Sequence, residues 1–271
     1  MKKSVIAATC AATLLLGMTA YANEYPVTHP FYLPDKGEVV SSTSYSHYDC
    51  KLKSPVAKQL RGNKYKVDIV SEDLGYGISD KLILIGGYCH EALDFKGIYD
   101  DTDKNHYWYL GLGDKFIDDG KTFFYGNFDY CQYNGDSVDK GVKYYDLFLK
   151  YGKKLDWADP YISVEYTNSM NRGSDNDAYA YFVGGVYKQI NDKLGFDANL
   201  DYFYNTDATK EKFLGATVDL RYAFTQKAAL TLGYSFQLSD SMHKVNVGDF
   251  GDVNFKTKTY DGFFANLTFA F

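Results

Sequence analysis

The chain ends Gly262-Phe-Phe-Ala-Asn-Leu-Thr-Phe-Ala-Phe271, and a period of 2 sorts this stretch into two faces. Phe263, Ala265, Leu267, Phe269 and Phe271 fall on one face; Gly262, Phe264, Asn266, Thr268 and Ala270 fall on the other. A strand with one apolar face and one small or polar face suits a wall with lipid outside and a wet lumen inside. The expected fold class is therefore all-β: a transmembrane antiparallel up-and-down β-barrel.

The opposite end carries a secretion signal. Met1-Lys2-Lys3 is basic, Val5 to Ala20 is a short apolar run, and Ala20-Tyr21-Ala22 is a small-x-small cleavage site. A signal peptide over 1–22 and a mature start at Asn23 follow. Loss of Lys2 and Lys3 then takes the formal charge from the whole chain's −6 to a mature −8, an acidic balance that argues against a nucleic-acid partner. With this signal, the closing aromatic strand resembles the C-terminal assembly signal of Gram-negative outer-membrane β-barrel proteins, small porin-like channels included. That resemblance implies a cell outer-membrane location among lipid and lipopolysaccharide. It also implies delivery to the barrel-assembly machinery through the strand that ends at Phe271.

Composition is compatible with such a wall. The mean hydropathy is only −0.36, but half of each barrel strand faces water and averages the lipid-facing half away. The 27 Tyr and 19 Phe against 2 Trp suit interfacial girdles, where an aromatic body meets lipid and a hydroxyl meets water.

Alternating segments recur between turn residues. They predict about twelve strands, over 38–50, 64–78, 81–90, 106–117, 121–133, 141–153, 160–169, 178–189, 193–205, 212–224, 228–238 and 257–271. Residues 23–37, with Pro26, Pro30 and Pro34, form a periplasmic lead-in that cannot join a central ladder; the barrel takes 38–271. Connections alternate in length. Ser79-Asp80-Lys81, Asp118-Asp119-Gly120, Asn191-Asp192 and Thr225-Gln226-Lys227 are tight, with Lys153 to Asp159 a little longer. Between them fall polar loops at 51–63, 91–105, 134–140, 170–177, 206–211 and 239–256. Short periplasmic turns, long external loops and an even strand number are the barrel pattern, and this parity leaves both termini in the periplasm.

A charge at the lipid midplane costs ~2–4 kcal/mol for a cation and less for an acid, so strand phase follows from turning charges inward. That phase points Asp197, Asn199, Asp201, Asp219 and Arg221 into the lumen, and puts Asp197 and Arg221 at one height, close enough to pair. Asp129, Asp146, Lys150 and Glu165 are further lumen-lining residues, with Asp68, Tyr109, Tyr125 and Asn127 as weaker candidates. The strands at 38–50 and 178–189 are left unphased.

No catalytic, metal or cofactor site emerges. Asn168-Ser-Met-Asn-Arg-Gly-Ser-Asp175 faintly resembles the serine region of outer-membrane phospholipases, but it lacks a preceding histidine to act as base. The acidic loops, Asp240, Asp249 and Asp252 among them, do not match a calcium loop. Cys50, Cys89 and Cys131 lack Cys-x-x-Cys spacing, and in an oxidising compartment two of them are expected to form a disulfide. The functional expectation is a non-enzymatic, porin-like channel for passive diffusion of small hydrophilic solutes, neutral or cationic preferred. The alternative is a closed structural or surface-interaction barrel with recognition carried by its loops; an outer-membrane enzyme comes third.

Overall fold

The computed structural model describes residues 26–52, 64–95, 101–136, 142–170, 178–205, 211–246 and 252–271. The expected signal peptide, the first residues of the lead-in, the loop at 171–177 and Asp249 lie outside these.

The described strands are β1 (Val39–Leu52), β2 (Lys64–Gly77), β3 (Leu82–Phe95), β4 (Asp101–Asp118), β5 (Thr122–Gly135), β6 (Val142–Lys153), β7 (Asp159–Ser169), β8 (Ala178–Asn191), β9 (Leu194–Asn205), β10 (Lys212–Thr225), β11 (Ala228–Gln237), β12 (Ser241–Asn246) and β13 (Asp252–Ala270). Each strand from β1 to β10 pairs with the next, β11 pairs with β13, and β13 returns to β1. Twelve strands thus close an antiparallel barrel, and closure pairs each of these twelve on both sides. The seam is long, running from Val40↔Ala270 to Leu52↔Thr257.

Two loops are shorter than the sequence suggested. Part of the expected 239–256 loop is strand: β12 folds back on the upper end of β13, from Ser241↔Thr257 to Asn246↔Asp252. Its Val245 pairs with Val253 and its His243 with Phe255, β-branched and aromatic content that a polar loop reading undervalues. The expected 91–105 loop likewise shrinks, because Phe95↔Asp101 extends the β3–β4 ladder.

The tight turns are closed by their own side chains. Asp119 Oδ1 accepts from the backbone N–H of Lys121 (2.9 Å) and Thr122 (2.6 Å), and Gly120 supplies the positive φ of 75° that a side chain disfavours. Asn191 Oδ1 does the same for Lys193 (2.9 Å) and Leu194 (3.0 Å), and Ser79 Oγ for Leu82 (2.9 Å).

Burial alternates with period 2. Val218, Leu220, Leu232, Phe263 and Phe269 are outward and exposed, whereas Thr217, Asp219, Arg221, Asn266 and Thr268 are inward and buried. The structure also phases the two ambiguous strands. In β1 the even residues Ser42, Ser44, Ser46 and Tyr48 point inward; in β8 Tyr179, Tyr181 and Tyr187 do so while Phe182 points out. Asp68 is a correction. It pairs with His47 on the outer wall, not in the lumen, because the phase of β2 is set by Tyr65, Val67, Ile69 and Ser71 turning inward.

Candidate functional site: the filled lumen

The lead-in does not stay outside the barrel. Residues 26–34 fold into the short-turn end of the lumen, where Val27, Thr28, His29, Phe31 and Leu33 are each at most 2 % exposed. Proline excludes this segment from the ladder, so its backbone is satisfied by short turns of its own, His29 N–H to the Pro26 carbonyl (2.8 Å) and Tyr32 N–H to that of His29 (3.2 Å), and by the wall's side chains. Arg221 Nη1 donates to the Thr28 carbonyl (3.3 Å), Lys150 Nζ to that of Pro30 (2.7 Å) and Lys115 Nζ to that of Leu33 (3.5 Å). Three inward cations thus hold three main-chain carbonyls.

Apolar packing completes the seat. The Phe31 ring stacks on Phe123 (5.0 Å, 7°), meets Tyr161 edge-on (6.3 Å) and lies under Lys150 Nζ (5.7 Å). It rests on Gly152, where an added Cβ would stand 2.1 Å from Phe31 Cζ. At Gly77 a Cβ would stand 1.8 Å from the Asp35 carbonyl oxygen, so glycine there is what lets the lead-in cross the wall into β1. His29 Nε2 hydrogen-bonds Asp159 Oδ2 (2.7 Å), and its Nδ1 accepts from the Phe31 N–H (3.1 Å). With Nδ1 accepting, the imidazole is neutral and Nε2 is the donor. Burial pushes its pKa down to about 4, outweighing the bond to Asp159 that pulls it up.

Apart from Asp68, the residues singled out from sequence face this interior. Arg221 joins Asp219 (2.7 Å) to Asp197 (3.1 Å), the pairing that counting up from the turns predicts. Tyr161 donates to Asp197 (2.7 Å), and Asn199 reaches Tyr161 (3.4 Å). Above this network a second group has no basic partner among the described residues. Asp129 and Asp146 stand opposite each other on β5 and β6, Cys131 donates its thiol to Asp146 (2.8 Å), and buried Glu165 bonds Thr167 (3.4 Å). One oxygen each of Asp129, Asp146 and Asp201 is buried without a hydrogen bond.

Toward the long-loop end the inward face turns aromatic and apolar. Tyr48, Tyr65, Val67, Leu93, Tyr107, Tyr133, Phe203 and Phe213 form one buried cluster, with Tyr65 stacked on Phe95 and Phe203 on Phe213 (both 5.0 Å). The sequence reading missed this layer and left open whether the lead-in enters the lumen. The available signals were Val27, Phe31, Tyr32 and Leu33 between the lead-in prolines, and tyrosines on the faces that phase as inward. The expected disulfide is absent: Cys50, Cys89 and Cys131 are buried free thiols. They sit on β1, β3 and β5, each pair at least two strand spacings (~9–10 Å) apart, beyond the ~4.4–6.8 Å Cα separation of a disulfide.

One histidine–carboxylate pair lies on the outer wall, His47 Nδ1 to Asp68 Oδ1 at 2.7 Å. The ring beside it is Phe263 (5.6 Å), and no hydroxyl or thiol nucleophile among the described residues hydrogen-bonds the histidine.

No protein-family model matches the chain, and no curated protein matches it. Solved structures do. An outer membrane channel from Pseudomonas putida F1 matches with a TM-score of 0.57 at 12 % identity, over 92 % of this chain and 98 % of that one. The translocator domain of the autotransporter NalP from Neisseria meningitidis matches at 0.55 and 10 % identity, over 87 % and 88 %. A deletion mutant of TodX, a monoaromatic hydrocarbon channel, matches at 0.51 and 9 % identity, over 88 % and 91 %. These matches, with the closed ladder and the apolar outer wall, show that the chain has the fold of the outer-membrane β-barrels.

Proposed function

We propose that the protein is an outer-membrane channel for small solutes, held closed in this structure by its own residues 26–34. The observation that carries the reading is that twelve strands close the wall without the lead-in, while residues 26–34 occupy the lumen with no strand pairing to the wall. A separable segment inside a complete wall is what a removable plug requires. The channels among the structural matches support a transport role. The charge of the interior supports a preference for neutral or cationic solutes, since Asp129, Asp146, Glu165 and Asp201 lack basic partners among the described residues. The aromatic layer above them offers faces on which a planar solute stacks. In this reading the short turns and both termini lie in the periplasm, lipid and lipopolysaccharide surround the wall, and the strand ending at Phe271 meets the assembly machinery.

A second reading, a closed structural barrel with recognition by its loops, is favoured by the buried aromatic layer. Planar-bilayer recordings separate the two. The full chain is expected to give rare, brief openings, and a chain lacking residues 26–34 steady current with cations favoured over anions. A folded deletion variant that passes no current would establish the closed barrel instead.

A further inference from the structure

Among the described residues, the outer wall at mid-height is apolar except on two strands. At mid-height, Leu112, Phe128, Leu147, Leu200, Val218 and Leu232 are all exposed on the lipid-facing side. On β1 and β2 the same face carries Ser41, Thr43, Tyr45, His47, Asp68 and Glu72 around the exposed Val70. The Glu72 carboxylate accepts from Ser41 Oγ (2.7 Å) and Thr43 Oγ1 (2.5 Å). Asp68 accepts from the Tyr45 hydroxyl (2.7 Å) and His47 Nδ1 (2.7 Å).

The pairing register fixes the depth of this stripe. From Glu72 the ladder partners run through Tyr88, Trp108 and Gln132 to Lys143, at the long-loop end of β6. In the other direction they run through Thr43, Leu267, Leu230 and Tyr222 to Leu194, beside the short turn before β9. The Thr43–Glu72 pair stands halfway along this path, so the stripe crosses the middle of the lipid belt. Polar and ionised groups facing hydrocarbon are costly, and they mark places where something other than lipid is met.

We propose that the occupant is a second copy of this chain, docked side by side through the outer faces of β1 and β2. A two-fold axis along the membrane normal keeps depth unchanged, so each polar group meets its counterpart's stripe at its own level, as an isologous interface requires. The charges permit it. Asp49, Asp68 and Glu72 on this face are matched in number by Lys51, Lys64 and Lys66, so the face carries no net charge, and the mid-depth carboxylates that come level with their counterparts are each held by two donors of their own β1. Hydrogen bonds across such a contact replace the exposure of carboxylates to acyl chains. The inference stands apart from the channel reading: a plugged or structural barrel would pair in the same way.

The test is cross-linking of single-cysteine additions in outer-membrane vesicles of cells expressing the full chain, with the buried native thiols left in place. Thr43→Cys is expected to give mostly disulfide-linked dimer on mild oxidation, and Val218→Cys, on the far wall, essentially none. In detergent, Asp68→Leu with Glu72→Leu is expected to raise the dimer dissociation constant at least tenfold, with an unchanged heat-modifiable gel shift showing an intact barrel. Three results overturn the proposal: monomer alone, or another protein, recovered from Thr43→Cys; equal dimer from both walls; or an unchanged dissociation constant in the leucine variant.

Discussion

Gly152→Ala tests the plug without touching it. Gly152 lies on the inward face of β6, and the added methyl carbon would stand 2.1, 2.5 and 2.9 Å from three atoms of the Phe31 ring. The ring has no free side to retreat to: Phe123 stacks on it at 5.0 Å, Tyr161 closes one edge, and His29 meets it at 4.9 Å. Forcing an extra carbon into a filled site of this kind costs ~1–3 kcal/mol. The wall strand is anchored by ladders on both sides, so the lead-in gives way. That energy lowers the equilibrium constant for docking residues 26–34 by ~5–150-fold. Single-channel open probability is the assay, with protease access to the lead-in as an independent readout, and both are expected to rise. Gly126→Ala is the control, since its methyl would press on Leu149 and Phe116 of the outer wall and leave the lead-in seated. Unchanged open probability and protease resistance in a folded Gly152→Ala protein would refute the steric argument and the seat assigned to Phe31.

Acid is expected to release the lead-in. The His29 pKa falls from 6.5 to about 4 on docking, so the docked state is fully favoured above pH 6.5 and loses stability as pH falls toward 4. The loss is about 2 kcal/mol at pH 5. Protease access that is flat between pH 7 and 5 would contradict it. His29 faces Asp159, Lys150, Arg221 and Tyr187, and His29→Gln is expected to flatten the profile. Lys150→Met removes the donor to the Pro30 carbonyl and should weaken docking by about 1.5–3 kcal/mol, read as a rise in open probability. Arg221→Leu strands two buried carboxylates, Asp197 and Asp219, and should cost the barrel about 3–5 kcal/mol, measured as a lower urea midpoint. In the channel lacking residues 26–34, Asp201→Asn is expected to lower cation-over-anion permeability with little change in that midpoint. An unmoved reversal potential in a salt gradient would take Asp201 off the conducting path.

The strand spans, the inward and outward phases near the C-terminus and the Arg221–Asp197 match were legible in the chain itself. Each rests on local rules: side chains alternate with period 2, charges avoid lipid, and height is counted from the nearest turn. Closure through Val40↔Ala270 also follows from the ends, since a last strand with one lipid face needs a partner on each side. Three things were not legible, because each depends on which strands become neighbours around the ring. Cys50 and Cys89 look bridgeable along the chain, but β2 keeps them apart. Asp68 looks like one more inward acid until the register sets it beside His47 and Tyr45 on the outer wall. The lead-in has no period to read, and only the closed lumen brings Lys115, Lys150 and Arg221, from three strands, to its carbonyls. Local periodicity determined the wall; what fills the wall was decided by contacts such as that of Arg221 with Thr28, 193 positions apart, which no pattern along the chain encodes.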